Sequence, residues 1–553
     1  MLLNNSKKIN DKMKIYEWEI WHTYSTYFLS GEIDLKKVAD NMANAGFGEC
    51  LFLRDGTTYW HTDNGYQKGF TTLKLMEANK ASIIEANTIN NEEINATEYS
   101  LETWNIAAQF RFCELRIFAE DDSLPPPYLR IFLGLSKFIS KKIGDFTIYP
   151  IITLYETGVL LVEFRVIGPD KEVVLDTFIN DYENLYQIEF DKIECSPTIS
   201  KYAPSAYHYY QFFPDTFVKR IKFSINQIFH DTAIEELTYQ KEDSDFSYEL
   251  TIFPTINDKE STASFAQTLF SIVGFLINKP EKGLGFLIRR QKFPPKIGHN
   301  WIGRPHIHLI KHQNQAETSS KNEKKNRDCF EKILARTTGK IKDCTESIVP
   351  KDSRIFDDFS AYITNAVTLW VWSKKGLTLQ EEMNDINRGN LVYENQAKTE
   401  MLDYGFMIYK RLLERLNSAK DSMGIIEERK NIYDLKSRME NISHFGEIYD
   451  LFHNGWNAYG VPKLEKYIKE KISILKSETK YRESKRTQAI AHSLSVLFGL
   501  IAVPTFAFEV LKPVWELLCI WHPSNKDMSN IFYNIITLFG TLLIIGIIYK
   551  KNK

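Results

Sequence analysis

Two stretches near the end of the chain are almost unbroken in apolar residues: 489–510 (AIAHSLSVLFGLIAVPTFAFEV) and 530–549 (NIFYNIITLFGTLLIIGIIY). Each matches the ~20 helical residues that cross a hydrocarbon core. They are predicted as transmembrane helices 1 and 2, with an extracytoplasmic loop at 511–529 and a short tail at 550–553. The first run has a second pattern within it. Gln488, His492, Ser495, Gly499 and Ala502 recur at intervals of four, three, four and three, which places them on one side of a helix. Such a polar-to-small stripe either packs closely against a neighbouring helix or lines water in an oligomeric pore. Phe506 continues the stripe as an apolar constriction, and Glu509 follows near the outer mouth. Pro504 interrupts the backbone ladder and predicts a kink.

Upstream, Leu464, Ile468, Ile472 and Leu475 repeat at helical spacing after Pro462. With no Gly or Pro before Gly499, a long stalk helix (462–488) is predicted to run on into the first apolar run. Residues 341–461 read as a helical stalk region, with a break in the turn formers at 454–462. Within it, 355–376 (IFDDFSAYITNAVTLWVWSKKG) reads as a buried helix. Residues 1–340 read as a mixed α/β ligand-sensing domain. There, 146–168 predicts two strands around a turn at 156–158. The segments 247–255 and 285–293 are further strand candidates, and 214–231 and 261–279 predict helices. The polar segment 312–328 has no apolar period and reads as a loop. The fold class predicted is an α+β cytoplasmic domain followed by a long helical stalk and two C-terminal transmembrane helices.

Composition adds little at the scale of the whole chain: 553 residues, 43% hydrophobic, 25% charged, formal net charge −2. Local charge says more. Arg482, Lys485 and Arg486 precede the first apolar run, and Lys550, Lys551 and Lys553 follow the second. The positive-inside rule then puts both chain ends in the cytoplasm, in a multi-pass protein of the bacterial inner membrane. The N-terminal residues lack an apolar core of signal-peptide length. Six scattered cysteines without a CxxC pair predict reduced, buried thiols rather than a disulfide framework or a zinc site.

No P-loop, dinucleotide fingerprint, HExxH or nucleophile elbow is present, so no catalytic residue is assigned and no enzyme is expected. One stretch stands out. Residues 282–316 contain no Asp or Glu but hold Arg289, Arg290, Lys292, Trp301, Arg304 and His306. Arginine forks suit phosphate and aromatic faces suit a base, so these six form a candidate pocket for a small anionic nucleotide. The alternative is a basic surface facing acidic parts of a neighbouring subunit. His306 and His308 share one strand face, as paired metal ligands can. No third ligand stands at metal-site spacing, which leaves a metal site unassigned.

A large α/β domain, a long stalk helix, two C-terminal apolar runs and the basic tail KKNK together resemble the CorA family of divalent-cation channels. The likeness is carried by residues 462–553. It implies a pentameric homo-oligomer in the lipid bilayer, a pore lined by the stripe from Gln488 to Glu509, and Mg2+ as the transported ion. The family's Gly-Met-Asn signature is absent from the loop LKPVWELLCIWHPSNKDMSN. The CorA-like branch associated with type III CRISPR systems departs from that signature too. That resemblance implies an antiviral effector gated by a nucleotide second messenger, such as a conjugate of S-adenosylmethionine with AMP, with no direct contact to nucleic acid. A divalent-cation transporter and a membrane-anchored interaction protein are the alternatives.

Overall fold

The computed structural model describes residues 13–75, 82–88, 93–118, 125–169, 171–212, 248–249, 261–278, 294–299, 301–341, 348–385, 390–418, 426, 429–430, 433–434, 437, 446–518 and 523–551. The chain divides into two units: Met1–Ser418 with Glu428–Ile468, and Ala419–Glu427 with Lys469–Lys553.

The first unit begins with strand β1 (Lys14–Tyr27), helix α1 (Leu35–Ala45) and strands β2 (Cys50–Leu53), β3 (Thr57–Thr62), β4 (Gly65–Leu75) and β5 (Ser82–Thr88). Helix α2 (Glu98–Phe118) precedes β6 (Tyr128–Phe132), β7 (Ser136–Ser140), β8 (Gly144–Tyr155), β9 (Val159–Ile167) and β10 (Val173–Val174). After a π-helical turn at Phe178–Glu183 come β11 (Lys192–Cys195), α3 (Pro197–Phe212), β12 (Tyr248–Glu249), α4 (Thr262–Ile277) and β13 (Trp301–His312). Helix α5 (Ser319–Leu334), the hairpin β14 (Phe359–Ile363) and β15 (Thr368–Trp372), α6 (Lys374–Asp385), α7 (Leu391–Ser418) and α8 (Gly446–Tyr459) follow. Helix α9 (Val461–Phe506) starts in this unit and continues in the second.

The main sheet has the strand order β14-β15-β13-β1-β9-β8-β6-β2-β3-β4-β5. The β13–β15 pair is parallel and the neighbouring pairs are antiparallel. Successive strand residues point to opposite faces, and here both faces are buried but differ in chemistry. One face carries Ile20, Ile131, Ile152, Leu160, Val162, Phe164, Val166, Ile307, Leu309 and Leu369, and forms the hydrophobic core with α1, α3, α4 and α5. The register places Glu19, Trp21, Thr23, Arg130, Thr153, Glu163, Arg165, Arg304, His306, His308 and Thr368 on the other. Buried apolar residues form the first face because its burial needs no partners. The second face needs a hydrogen bond for nearly every atom it buries.

Several predicted elements are present. The strands around 156–158 are β8 and β9, turned by Gly158 at φ +87°. The helix expected at 261–279 is α4, opened by a capping box between Ser261 and Ser264. The long helix expected from Pro462 is α9. Three readings change. Residues 355–376 form the β14–β15 hairpin rather than a buried helix, because an antiparallel pair with a turn at Thr364–Val367 satisfies its backbone. Residues 312–328, read as a loop, supply much of α5, which buries Cys329, Phe330 and Ile333. The break expected at 454–462 narrows to Gly460, at φ +76°, since α8 continues through Tyr459. The candidates 214–231 and 285–293 lie outside the described residues, as does most of 247–255. Cys50, Cys113, Cys195 and Cys329 are buried.

In the second unit α9 ends at Phe506, two residues after Pro504, and gives way to a π-helical segment at Ala507–Leu511. Helices α10 (Lys512–Leu517) and α11 (Lys526–Lys551) follow, with Trp515 edge-on to Phe532 at 5.8 Å. Among the described residues, no helix is long and apolar enough to cross a membrane. The first half of α9 is rich in charge, its apolar end contains Pro504, and α11 opens on Lys526 and Asp527. The expectations of two transmembrane helices, of a membrane channel and of an inner-membrane location are therefore corrected. Gln488, His492, Ser495, Ala502, Phe506 and Glu509 are exposed and Gly499 is half-buried.

Candidate functional site

The charged face of the sheet is covered by α7, whose inward side reads Tyr393, Gln396, Glu400 and Asp403 at intervals of three, four and three. All four are buried. Three linked groups of polar side chains occupy the space between helix and sheet.

At the β1–β9 step, Arg165 makes a two-pronged ion pair with Glu19, Nε to Oε1 at 2.7 Å and Nη2 to Oε2 at 3.0 Å. Trp21 Nε1 donates to the same Oε1 at 2.6 Å. The guanidinium lies near the rings of Trp21 and Tyr393, at 5.4 and 5.3 Å. Burial works against the Arg165 charge, but Glu19 outweighs it and holds the guanidinium more basic than usual. This group is complete in itself and reads as the rigid back wall of the site.

In the middle, Arg130 Nη2 donates to Glu400 Oε2 at 2.6 Å and to Glu114 Oε1 at 3.4 Å. Glu114, on α2, also accepts from the Tyr128 hydroxyl at 2.7 Å. Glu163 Oε1 accepts from Gln396 Nε2 at 2.7 Å and from the Thr23 hydroxyl at 3.3 Å. Glu163 and Glu400 lie close enough to interact directly with each other. Burial pushes both carboxyls up; for Glu400, Arg130 opposes the shift while Glu163 and Glu114 add to it, and it ends well above the usual range.

At the β13 end, Gln396 Nε2 lies 3.2 Å from His306 Nδ1. An amide nitrogen can only donate, so Nδ1 accepts and the ring proton sits on Nε2. That Nε2 is 3.1 Å from Asp403 Oδ2, within ion-pair range but not aligned as a hydrogen bond. Arg304 reaches Asp403 with Nη1 at 3.7 Å and donates from Nη2 to the Thr364 carbonyl. Its guanidinium lies over the Tyr459 ring, 3.5 Å from the centroid. His308, beside it on β13, stacks parallel to Trp370 and burial lowers its pKa to about 4, so it is neutral.

Many buried atoms of this face have no partner: Nε and Nη1 of Arg130, Glu163 Oε2, Arg304 Nε, Gln396 Oε1, Glu400 Oε1, Asp403 Oδ2 and both ring nitrogens of His308. Native proteins leave only a few such groups per 100 residues, and each costs on the order of 1–3 kcal/mol. Donors and acceptors are orphaned side by side, as they are where a polar guest belongs. Among the described residues no group of three or more His, Cys, Asp or Glu is placed to hold a metal ion.

Of the six ligand residues predicted from sequence, the structure brings Arg304 and His306 into this space. Trp301 begins the same strand and pairs with Ser25. Arg289, Arg290 and Lys292 lie outside the described residues. Sequence reasoning missed Arg130, Glu163, Gln396, Glu400 and Asp403. Two signals were available: charges inside the apolar strand VLLVEFRVI, and polar residues at helical spacing in a helix that is otherwise buried. No family model matches the chain, and neither a curated protein nor a solved structure matches it.

Proposed function

We propose that the protein is a receptor for a small nucleotide-like ligand, bound between α7 and the charged face of the sheet. The observation that supports this most is the group of orphaned donors and acceptors around Arg130, Glu163, Arg304, His306, Glu400 and Asp403. A nucleotide offers both complements. Its phosphate meets the free guanidinium N–H groups of Arg304 and Arg130, and its base edge meets Gln396 and the carboxyls. The side chains of this face are buried under α7, so the ligand enters by displacement of that helix. Ligand binding also meets Tyr459, because Arg304 stacks on it. Tyr459 ends α8, and α9 starts after Gly460, so a shift of Arg304 is felt where α9 begins. The reading is a sensor, in which a ligand favours one of two seatings of α7 and α9.

A thermal-shift screen of the full chain against AMP, ADP, ATP and cyclic nucleotides tests this. At least one is expected to raise the melting temperature in proportion to the logarithm of its concentration. The rise should disappear in Arg304→Gln.

A further inference from the structure

We infer that one proton, shared between Glu163 of β9 and Glu400 of α7, holds α7 on the charged face, and that its loss releases the helix.

The geometry comes first. Each carboxyl has one oxygen committed and one orphaned. Glu163 Oε1 accepts from Gln396 and Thr23, and Glu400 Oε2 accepts from Arg130. Glu163 Oε2 and Glu400 Oε1 are left without a donor, yet both residues are almost wholly buried and interact directly with each other. Two carboxylates cannot satisfy each other, because both only accept. A proton between them turns two orphans into one charge-assisted hydrogen bond. The pair shares it: whichever carboxyl carries the proton donates to the other.

The surrounding charges do not remove the need for it. Arg130 faces the pair from β6, with Tyr128 beside it bonded to Glu114, while Glu114 faces the pair from α2, Tyr155 from β8 and His306 from β13. Asp403 adds a further acid from α7 itself. Arg130 is the one guanidinium bonded to the pair, and it is shared with Glu114. When the proton leaves for solvent, two buried carboxylates face each other across the α7–sheet interface. Their repulsion and desolvation act to separate the two elements. The same separation opens the space assigned above to a ligand, and that consequence rests on the receptor reading.

Hydrogen exchange of the full chain, followed by mass spectrometry on peptides covering Leu391–Ser418 and corrected for the intrinsic pH dependence of exchange, tests the lock without any ligand. Its result therefore stands whether or not AMP binds. In the wild type, protection of α7 should fall about tenfold per pH unit once the shared proton titrates, as release of one proton requires. Glu400→Gln keeps a donor to Glu163 at every pH, so its α7 should stay protected with no such slope. Glu163→Gln reverses the roles, donating to an ionised Glu400, and should also be flat. A wild-type α7 whose protection does not respond to pH overturns the inference, as does a wild-type slope that survives in both glutamine variants.

Discussion

The Arg304 guanidinium lies 3.5 Å from the centre of the Tyr459 ring, and this stack joins the charged sheet face to the turn from which α9 departs. Both side chains are buried, and Arg304 Nε has no hydrogen-bond partner. The ring face is thus a main source of compensation for that charge. Desolvated cation–π pairs are worth about 2 kcal/mol. Tyr459→Phe keeps the stack and should cost under ~1 kcal/mol, whereas Tyr459→Leu removes it and should cost about 2 kcal/mol or more. Urea denaturation of both variants measures the difference, and equal losses would show that the stack contributes nothing.

Arg130 sits between two acids from different helices, Glu400 on α7 and Glu114 on α2. Arg130→Met leaves both buried without their cation and is expected to cost roughly 3–5 kcal/mol. Adding Glu114→Gln should recover part of that loss, because a neutral amide needs no counter-charge. A double-mutant cycle by chemical denaturation reads the coupling, and strict additivity would mean the pair does not interact.

Acid should destabilise the fold through its histidines. Burial lowers His22 to about 3 and His308 and His312 to about 4, against an ordinary 6.5. A depressed folded-state value means that the unfolded chain takes up the protons first. The contribution of these residues is therefore complete above pH 6.5 and is lost as pH falls towards 4. At about 1.4 kcal/mol per unit, the summed loss is on the order of 10 kcal/mol. The melting temperature should drop steeply across this window, and His308→Gln should make the drop shallower. Glu400 acts at the other end: its raised value contributes stability that fades as pH climbs above the ordinary carboxyl range.

The parts of the fold legible in the sequence were those with one clear period. VLLVEFRVI and its partner strand declare themselves through β-branched and aromatic residues around Gly158. The β14–β15 hairpin hides because both of its faces are buried, which removes the alternation that marks a strand. Helix α5 hides because half of its buried positions, Ser319, Asn322, Asn326 and Lys332, are polar and blur the apolar period. The apolar runs at 489–510 and 530–549 met the length criterion for spanning. Among the described residues, however, Pro504 and the charged flanks leave no helix that meets it in full.

The candidate site was half legible for a related reason. Arg304 and His306 stand in an acid-free stretch and draw notice as a group. Their partners Glu163, Gln396, Glu400 and Asp403 are ordinary residues in sequence, some 90 or more positions away, and only strand register and helical spacing collect them. The cost of burying these groups on one face is a property of the folded arrangement, and no local pattern records it.

Isothermal titration of AMP into the full-length protein and into Arg304→Gln bears most directly on the receptor reading. The account predicts saturable, one-site binding to the wild type. Loss of a charge-assisted contact worth about 1.5–3 kcal/mol should weaken it roughly ten- to a hundredfold in the variant. Equal affinity in the two proteins, or no binding of AMP to a wild type that is correctly folded, would contradict it.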